Sequence, residues 1–162
     1  MPELKLSDLT VIIDTREQMP WDMSPMVCET GTLSVGDYSL KGLESIVAIE
    51  RKSIDDFVMC CGVERERFQR ELDRLRGWPV SAVVIEASWA DLQLGQWRSK
   101  LTPKQVQSSF CAWIAQGHKM VLGKSHDEAG KIASAILFYA ARYRVREVKS
   151  FLDSIFCERI EG

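Results

Sequence analysis

Apolar residues fall along this chain in two rhythms, and the switches between them predict an order of strands and helices. Leu9 to Asp14 is a short β-branched run closed by a carboxylate, which predicts a central strand with Asp14 at its exit. Thr15 to Pro25 carries two prolines and alternates poorly, so it reads as loop. Val27 to Val35 holds a candidate strand, with Gly31 marking a turn or bulge. Tyr38 to Leu40 and Ile46 to Arg51 predict a hairpin joined through Lys41-Gly42-Leu43-Glu44. Its second strand is apolar on both faces until Glu50, the pattern of a buried strand.

The helical rhythm begins at Ser53, an N-cap with Asp56 three residues on, and stops at Gly62. Glu64 to Arg76 predicts a second helix with Phe68, Leu72 and Leu75 on one stripe. Val80 to Glu86 is the next strand. Ser88 to Asp91 has capping spacing for a short helix ended by Gly95. Thr102-Pro103-Lys104-Gln105 opens another, with Val106, Phe110, Trp113 and Ile114 facing one side until Gly117. Lys119 to Leu122 is a short last strand. From Ser125 the pattern stays helical to Gly162. Its stripe is Ile132, Ile136, Tyr139, Ala140 and Tyr143, continued with a small phase drift by Val145, Val148, Leu152, Ile155 and Phe156. A helix of that length outruns a compact domain, so its second half is expected to bend back on the core or to pack on another chain. The order fits an α/β sandwich with a mixed sheet between helices.

Composition narrows this little. A chain of 162 residues with 46% apolar residues builds one ordinary core. The most apolar stretch, Ile132 to Ala141, falls short of the roughly 18 residues that cross a membrane. The opening Met1-Pro2-Glu3-Leu4-Lys5 lacks an apolar secretory stretch. The five cysteines are odd in number and form no C-x-x-C pair, so no disulfide framework or zinc knuckle is expected. A cytoplasmic or nucleoid-associated protein is the expectation. The formal charge of -2 means that any nucleic-acid contact must come from a local basic face.

The candidate chemistry lies in and beside the hairpin. Asp37 and Glu50 are separated by the twelve residues 38 to 49, enough to end one strand, turn and return along the next. Together they offer hard oxygen ligands for Mg²⁺ or Mn²⁺, which can activate water and stabilise charge on a phosphate. Lys52, two residues after Glu50, points to the same face of an extended chain. It is placed to orient water or neutralise phosphate charge. Asp14 can add a carboxylate to the same edge. Arg51 belongs on the opposite face of a regular strand. The spacing alone also fits a salt-bridged strand end.

Three motifs add a resemblance. Asp14-Thr15-Arg16-Glu17, Val35-Gly36-Asp37-Tyr38 and Glu50-Arg51-Lys52-Ser53-Ile54-Asp55-Asp56 resemble the signature of the XPF-like structure-specific endonucleases, G-D, a variable gap, then E-R-K-x-x-x-D. That family belongs to the PD-(D/E)XK, or restriction-endonuclease-like, superfamily. The likeness runs from about Leu9 to Tyr143, taking in Arg67-Phe68, Arg70-Glu71-Leu72 and Val84-Ile85-Glu86. It implies a three-layer sandwich, with a nuclease domain over residues 1–145 and a helical extension of it over 146–162. It implies that Asp37, Glu50 and Asp14 bind the metal and that Lys52 acts on the water or the scissile phosphate. Arg51 would support the site, and Arg16, Glu17 and Asp56 would be accessory. Arg67 would lie near the DNA or brace the acidic cluster.

The chain departs from larger relatives in showing no tandem helix-hairpin-helix module and no helicase region. The expectation is therefore a stand-alone domain similar to those of bacteria and their phages, a metal-dependent endonuclease acting on branched, flapped or distorted DNA. The alternative is an inactive DNA-binding or scaffolding subunit of the same fold. A homodimer or heterodimer through the nuclease domain or the C-terminal helix is compatible with the sequence.

Several residues also have plainer readings. Asp56 suits a helix cap as well as a catalytic role. Glu17 pairs with Arg16 in the simplest reading. The arginines of Glu64 to Arg76 alternate with acids, as on a solvated face, which leaves Arg67 as the first candidate for phosphate contact. Lys104 flanks a helix N-terminus that can hold a phosphate. Trp113 reads as core, and Trp89 and Trp97 as packing residues. His118 and His126 show no ligand spacing, and Glu86 reads as a distant strand-end acid outside the site.

Overall fold

The computed structural model describes residues 3–157. After a turn of 3-10 helix at Leu6–Asp8, the chain builds β1 (Thr10–Asp14), β2 (Val27–Gly31), β3 (Tyr38–Leu40) and β4 (Val47–Ser53). Then come α1 (Ile54–Cys61), α2 (Arg65–Leu75), β5 (Val80–Glu86), α3 (Trp89–Leu94), α4 (Pro103–Ala115), β6 (Met120–Leu122) and α5 (His126–Cys157). The six strands form one sheet in the order β2-β1-β3-β4-β5-β6. β1 pairs with β2 in parallel, β3 runs antiparallel to β1 and β4, and β4, β5 and β6 are parallel. The sheet is mixed, as its sequence pattern predicts.

Each face of the sheet carries its own core. On one face Val47, Ile49, Ala82 and Val84 pack with Val11, Trp21, Tyr38 and α5. On the other, Ala48, Val83 and Ile85 pack with Phe57 of α1, Phe68 and Leu72 of α2, and Val106 and Trp113 of α4. Alternate residues of β4 and β5 thus serve opposite faces, the period-2 rule of a strand covered on both sides. Trp113 sits at the centre of the second core, edge-on to Phe57 and Phe68 at 6.0 and 5.0 Å between ring centres.

The capping signals form as expected. The hydroxyls of Ser53, Ser88 and Thr102 accept the backbone N–H of Asp56, Asp91 and Gln105, which satisfies a donor that the helix itself leaves open.

Two apolar faces differ from the expectation. α5 lies on the sheet through Ala129, Ala133, Leu137, Ala140 and Ala141, whereas Tyr139 and Tyr143 are 51% and 61% exposed. Small side chains let the helix come close: a Cβ on Gly130 would stand 3.0 Å from Trp21 Cβ. Ile114, expected on the buried stripe of α4, is exposed for a related reason, since Val106, Phe110 and Trp113 already fill that face. Beyond Ala141, α5 does not bend back on the core. It runs unbroken from His126 to Cys157, with Val148, Phe151, Leu152, Ile155 and Phe156 exposed. No helix among the described residues is long and apolar enough to cross a membrane.

Candidate active site

Because β1, β4 and β5 all end at the same edge of the sheet, Asp14, the residues Glu50 to Lys52, and Glu86 gather there. Asp37, at the start of antiparallel β3, joins them. Its N–H donates to Ile49 O and its own carbonyl accepts from Asp14 N, both at 2.8 Å. Gly36 makes this entry possible. It has φ +77°, and a Cβ there would stand 3.0 Å from Ile49 O. Asp37 Oδ2 accepts the Arg51 N–H at 2.8 Å, which fixes its carboxylate beside Glu50.

Glu50 and Lys52 share a face of β4. Lys52 Nζ donates to Glu50 Oε1 at 2.8 Å and lies 3.4 Å from Glu71 Oε2 on α2. The Lys52 stem is buried, with its nitrogen 5.3 Å from the Phe68 ring centre. Arg16, Asp37, Glu50, Lys52, Glu71 and Arg67 line one cleft of about 230 Å³. It adjoins a second hollow rimmed by Glu17, Arg51, Ser53 and Asp56.

The two carboxylates are buried and crowded by other acids. Burial, and then the neighbouring Glu50 charge, push the Asp37 carboxyl up to about 7, with the Arg51 amide pulling the other way. Burial likewise raises Glu50, against the pull of Lys52. For Lys52, burial favours the neutral amine, but Glu50 and Glu71 outweigh it and the ammonium is held well above its ordinary range. The result is a fixed cation beside two acids that lack enough positive charge. Among the described residues, Asp37 Oδ1 and Glu50 Oε2 accept no hydrogen bond. Two open, crowded carboxylate oxygens suit a hard divalent cation that fills its remaining positions with water and phosphate.

Asp14 is brought to the same edge but is turned elsewhere. It is 1% exposed and does not line the cleft. Its Oδ1 accepts from Arg16 N at 3.0 Å and Nε at 2.7 Å, and its Oδ2 from Leu33 N at 2.8 Å and Arg16 Nη2 at 3.2 Å. Burial works to raise its pKa, but these donors prevail and hold it low. Among the described residues no group of three His, Cys, Asp or Glu side chains is placed to hold a metal. Four donors occupy the Asp14 oxygens, so its carboxylate faces Arg16 and Leu33 and not the cleft that Asp37 and Glu50 line. What it does hold is Arg16, whose 73% exposed side chain lines the cleft.

Arg51 points to the opposite face from Glu50, as a regular strand requires. There it pairs with Glu86, and its Nη1 lies 3.2 Å from Glu17 Oε1. Glu17 thus partners Arg51 where a pair with Arg16 was the simpler expectation. Asp56 accepts the Ser53 hydroxyl at 2.8 Å and gives its own N–H to it, so it is built into the α1 cap while rimming the second hollow. Arg67 lines the cleft and is paired with Glu64 and, at 3.4 Å, with Glu71. Lys104 lies apart, in a shallow depression with Arg65, Thr102 and Ser108 that shares no lining residue with the cleft.

Three further residues support the site without being expected in it: Glu86, which reads as an acid outside it, Glu71 and Trp21. Glu86 had a signal: it shares strand parity with Val84 and closes a strand parallel to β4, so it falls on the face that holds Arg51. Glu71 had none, since its approach to Lys52 depends on how α2 lies across the sheet. Trp21 stacks on Tyr38 at 4.7 Å and donates to Glu86 at 2.8 Å from within a stretch that reads as plain loop.

Residues 13–153 match the ERCC4 domain family. Two solved structures of XPF from Aeropyrum pernix share the fold. One is 16% identical with a TM-score of 0.64, covering 90% of this chain and 73% of that one. The other, a complex with DNA, is 16% identical with a TM-score of 0.53, covering 86% and 66%. No curated protein sequence matches the chain.

Proposed function

The chain belongs to the ERCC4 domain family, and on that premise we propose that it is a Mg²⁺- or Mn²⁺-dependent DNA endonuclease acting on branched, flapped or otherwise distorted DNA. The observation that carries this reading is the Asp37–Glu50 pair, with its raised pKa values and open oxygens beside the Lys52 cation. That one of the two similar XPF structures holds DNA supports the choice of substrate.

Asp37 and Glu50 would hold the cation, which when bound supplies polarisation of the scissile phosphate and a nucleophilic water near neutral pH. Lys52 orients Glu50 and offers a fixed positive charge where a phosphate oxygen gains charge in the transition state. Arg16, steadied by buried Asp14, gives the cleft a guanidinium for a neighbouring phosphate. Arg67 stands on the other side of the cleft and would exchange Glu71 for the DNA backbone. Arg51 acts through its amide, which sets the Asp37 carboxylate.

The test is cleavage of linear, flapped and four-way-junction DNA with Mg²⁺ and with Mn²⁺. Branched DNA should be cut in preference to linear, with losses of about 10²-fold or more in Asp37→Ala and Lys52→Ala. Activity that survives both substitutions would overturn the assignment. Metal-dependent binding without cutting would favour the inactive scaffolding subunit instead.

A further inference from the structure

A second cavity, of about 140 Å³, is bounded by the end of α2, the start of β5 and residues 117–119. Ser81 in its wall stands five residues before Glu86, roughly 17 Å along the strand from the edge where the acids gather. Arg76, His118 and Lys119 line it, and no acid does. In a chain whose formal charge is -2, that is a local excess of positive charge.

The wall is also short of hydrogen-bond acceptors. His118 is buried, and burial, then Arg76, lower its pKa, so the ring is neutral and has one N–H and one lone pair. Both ring nitrogens nevertheless face donors. Gln69 Nε2 lies 3.2 Å from His118 Nε2, and Arg76 Nε lies 3.4 Å from His118 Nδ1. The Gln69 amide is held in this orientation, because Trp113 Nε1 donates to its oxygen at 3.0 Å and Asp73 Oδ1 accepts from its nitrogen at 3.1 Å. Either tautomer of His118 therefore sets one N–H against another donor. Asp73 does not relieve this, since its Oδ1 is 3.9 Å from His118 Nε2.

The other groups leave the same surplus. Ser81 is 8% exposed, shares strand parity with Val83 on the α2 side of the sheet, and its hydroxyl makes no hydrogen bond among the described residues. Lys119 Nζ has only the Pro79 carbonyl, at 3.4 Å. The carbonyls of Leu72, Arg74 and Leu75 that end α2 are taken by the amides of Arg76, Gly77 and Trp78. Buried donors without acceptors are costly, and a multidentate anion would satisfy several together.

We propose that this cavity is an oxyanion site that takes a phosphate group, as the free ion or as the terminal phosphate of a nucleotide. Arg76 and Lys119 supply the charge, and Ser81 and His118 donate to its oxygens. The site goes beyond the nuclease reading and does not rest on it.

The test is thermal unfolding and calorimetric titration of the whole chain in EDTA, with chloride matching ionic strength. The probes are inorganic phosphate, thymidine 5′-monophosphate and thymidine. At least one of the two phosphates should bind saturably and raise the midpoint, the tighter one naming the source, while thymidine should do neither. Arg76→Gln and Lys119→Gln, whose side chains are exposed enough to spare the fold, should each weaken binding at least tenfold. Arg16→Gln in the cleft and Lys149→Gln on α5 should leave it unchanged. In ring-proton NMR spectra the His118 signals should shift along the same saturation curve. No saturable binding of either phosphate, binding indifferent to both cavity substitutions, or binding lost in Arg16→Gln would each overturn the proposal.

Discussion

Glu86 grips Arg51 from the neighbouring strand with two hydrogen bonds, Nε at 2.6 Å and Nη2 at 3.1 Å. The same carboxylate accepts Trp21 Nε1 at 2.8 Å and faces His126 Nδ1 at 2.7 Å. Burial works to raise its pKa, but Arg51, Trp21 and His126 outweigh it and keep it ionised. An acid outside the cleft therefore holds the arginine whose amide sets Asp37.

Replacing Glu86 tests that link. Glu86→Gln keeps the shape and removes the charge, leaving Arg51 to Glu17 alone. Losing the charge from this largely buried, hydrogen-bonded pair costs about 1.5–3 kcal/mol of stability, measurable by urea unfolding. In cleavage kinetics the loss should fall on kcat more than on KM, because Asp37 loses its setting while the DNA contacts remain. An unchanged kcat would show that Arg51 does not position the site.

Asp14 separates a metal ligand from a clasp. In Asp14→Asn the amide cannot accept at both ends, so either Leu33 N–H or the Arg16 fork loses its partner, at a cost of about 1–3 kcal/mol. Because Asp14 faces Arg16 and Leu33 and does not line the cleft, Mn²⁺ affinity should fall far less than in Asp37→Asn. KM for DNA should rise as Arg16 loses its anchor. A loss of Mn²⁺ affinity comparable to that of Asp37→Asn would place Asp14 among the ligands after all.

The raised Asp37 pKa gives the metal-free protein an inverted pH dependence. The folded chain keeps a proton on Asp37 up to about pH 7, and the unfolded chain loses it near about pH 4. The contribution is full below about pH 4 and is lost as pH rises toward 7, with Glu50 acting in the same direction. Asp14 and Glu86, both lowered, act oppositely at acid pH, so the difference between wild type and Asp37→Asn isolates the effect. Relative to that variant, wild type should lose stability between about pH 4 and 7, and Mn²⁺ should restore it at the upper end. A flat difference across that range would count against the crowded acidic pair.

Much of this was legible in the sequence, for local reasons. Ser53, Ser88 and Thr102 announce their helices because a cap needs only residues within one turn. Glu50 and Lys52 share a face, and Arg51 takes the other, because strand parity is fixed by the backbone. The sheet-facing side of α5 was not legible. A pattern that weighs large apolar residues selects Tyr139 and Tyr143, whereas close packing selects the alanines. Nor was the role of Asp14, because its fourth donor, the Leu33 amide, comes from a loop with no periodic signal. The grip of Glu86 on Arg51 required the β4–β5 register, which pairs Ser53 with Glu86.

On the reading proposed above, Asp37 and Glu50 together hold the cation that drives hydrolysis. Calorimetric titration of Mn²⁺ into wild type, Asp37→Asn and Glu50→Gln tests it most directly, with folding of each variant checked by its unfolding midpoint. Wild type should bind, and each variant should lose at least about tenfold in affinity. Equal Mn²⁺ affinity in all three proteins would show that the cation is held elsewhere.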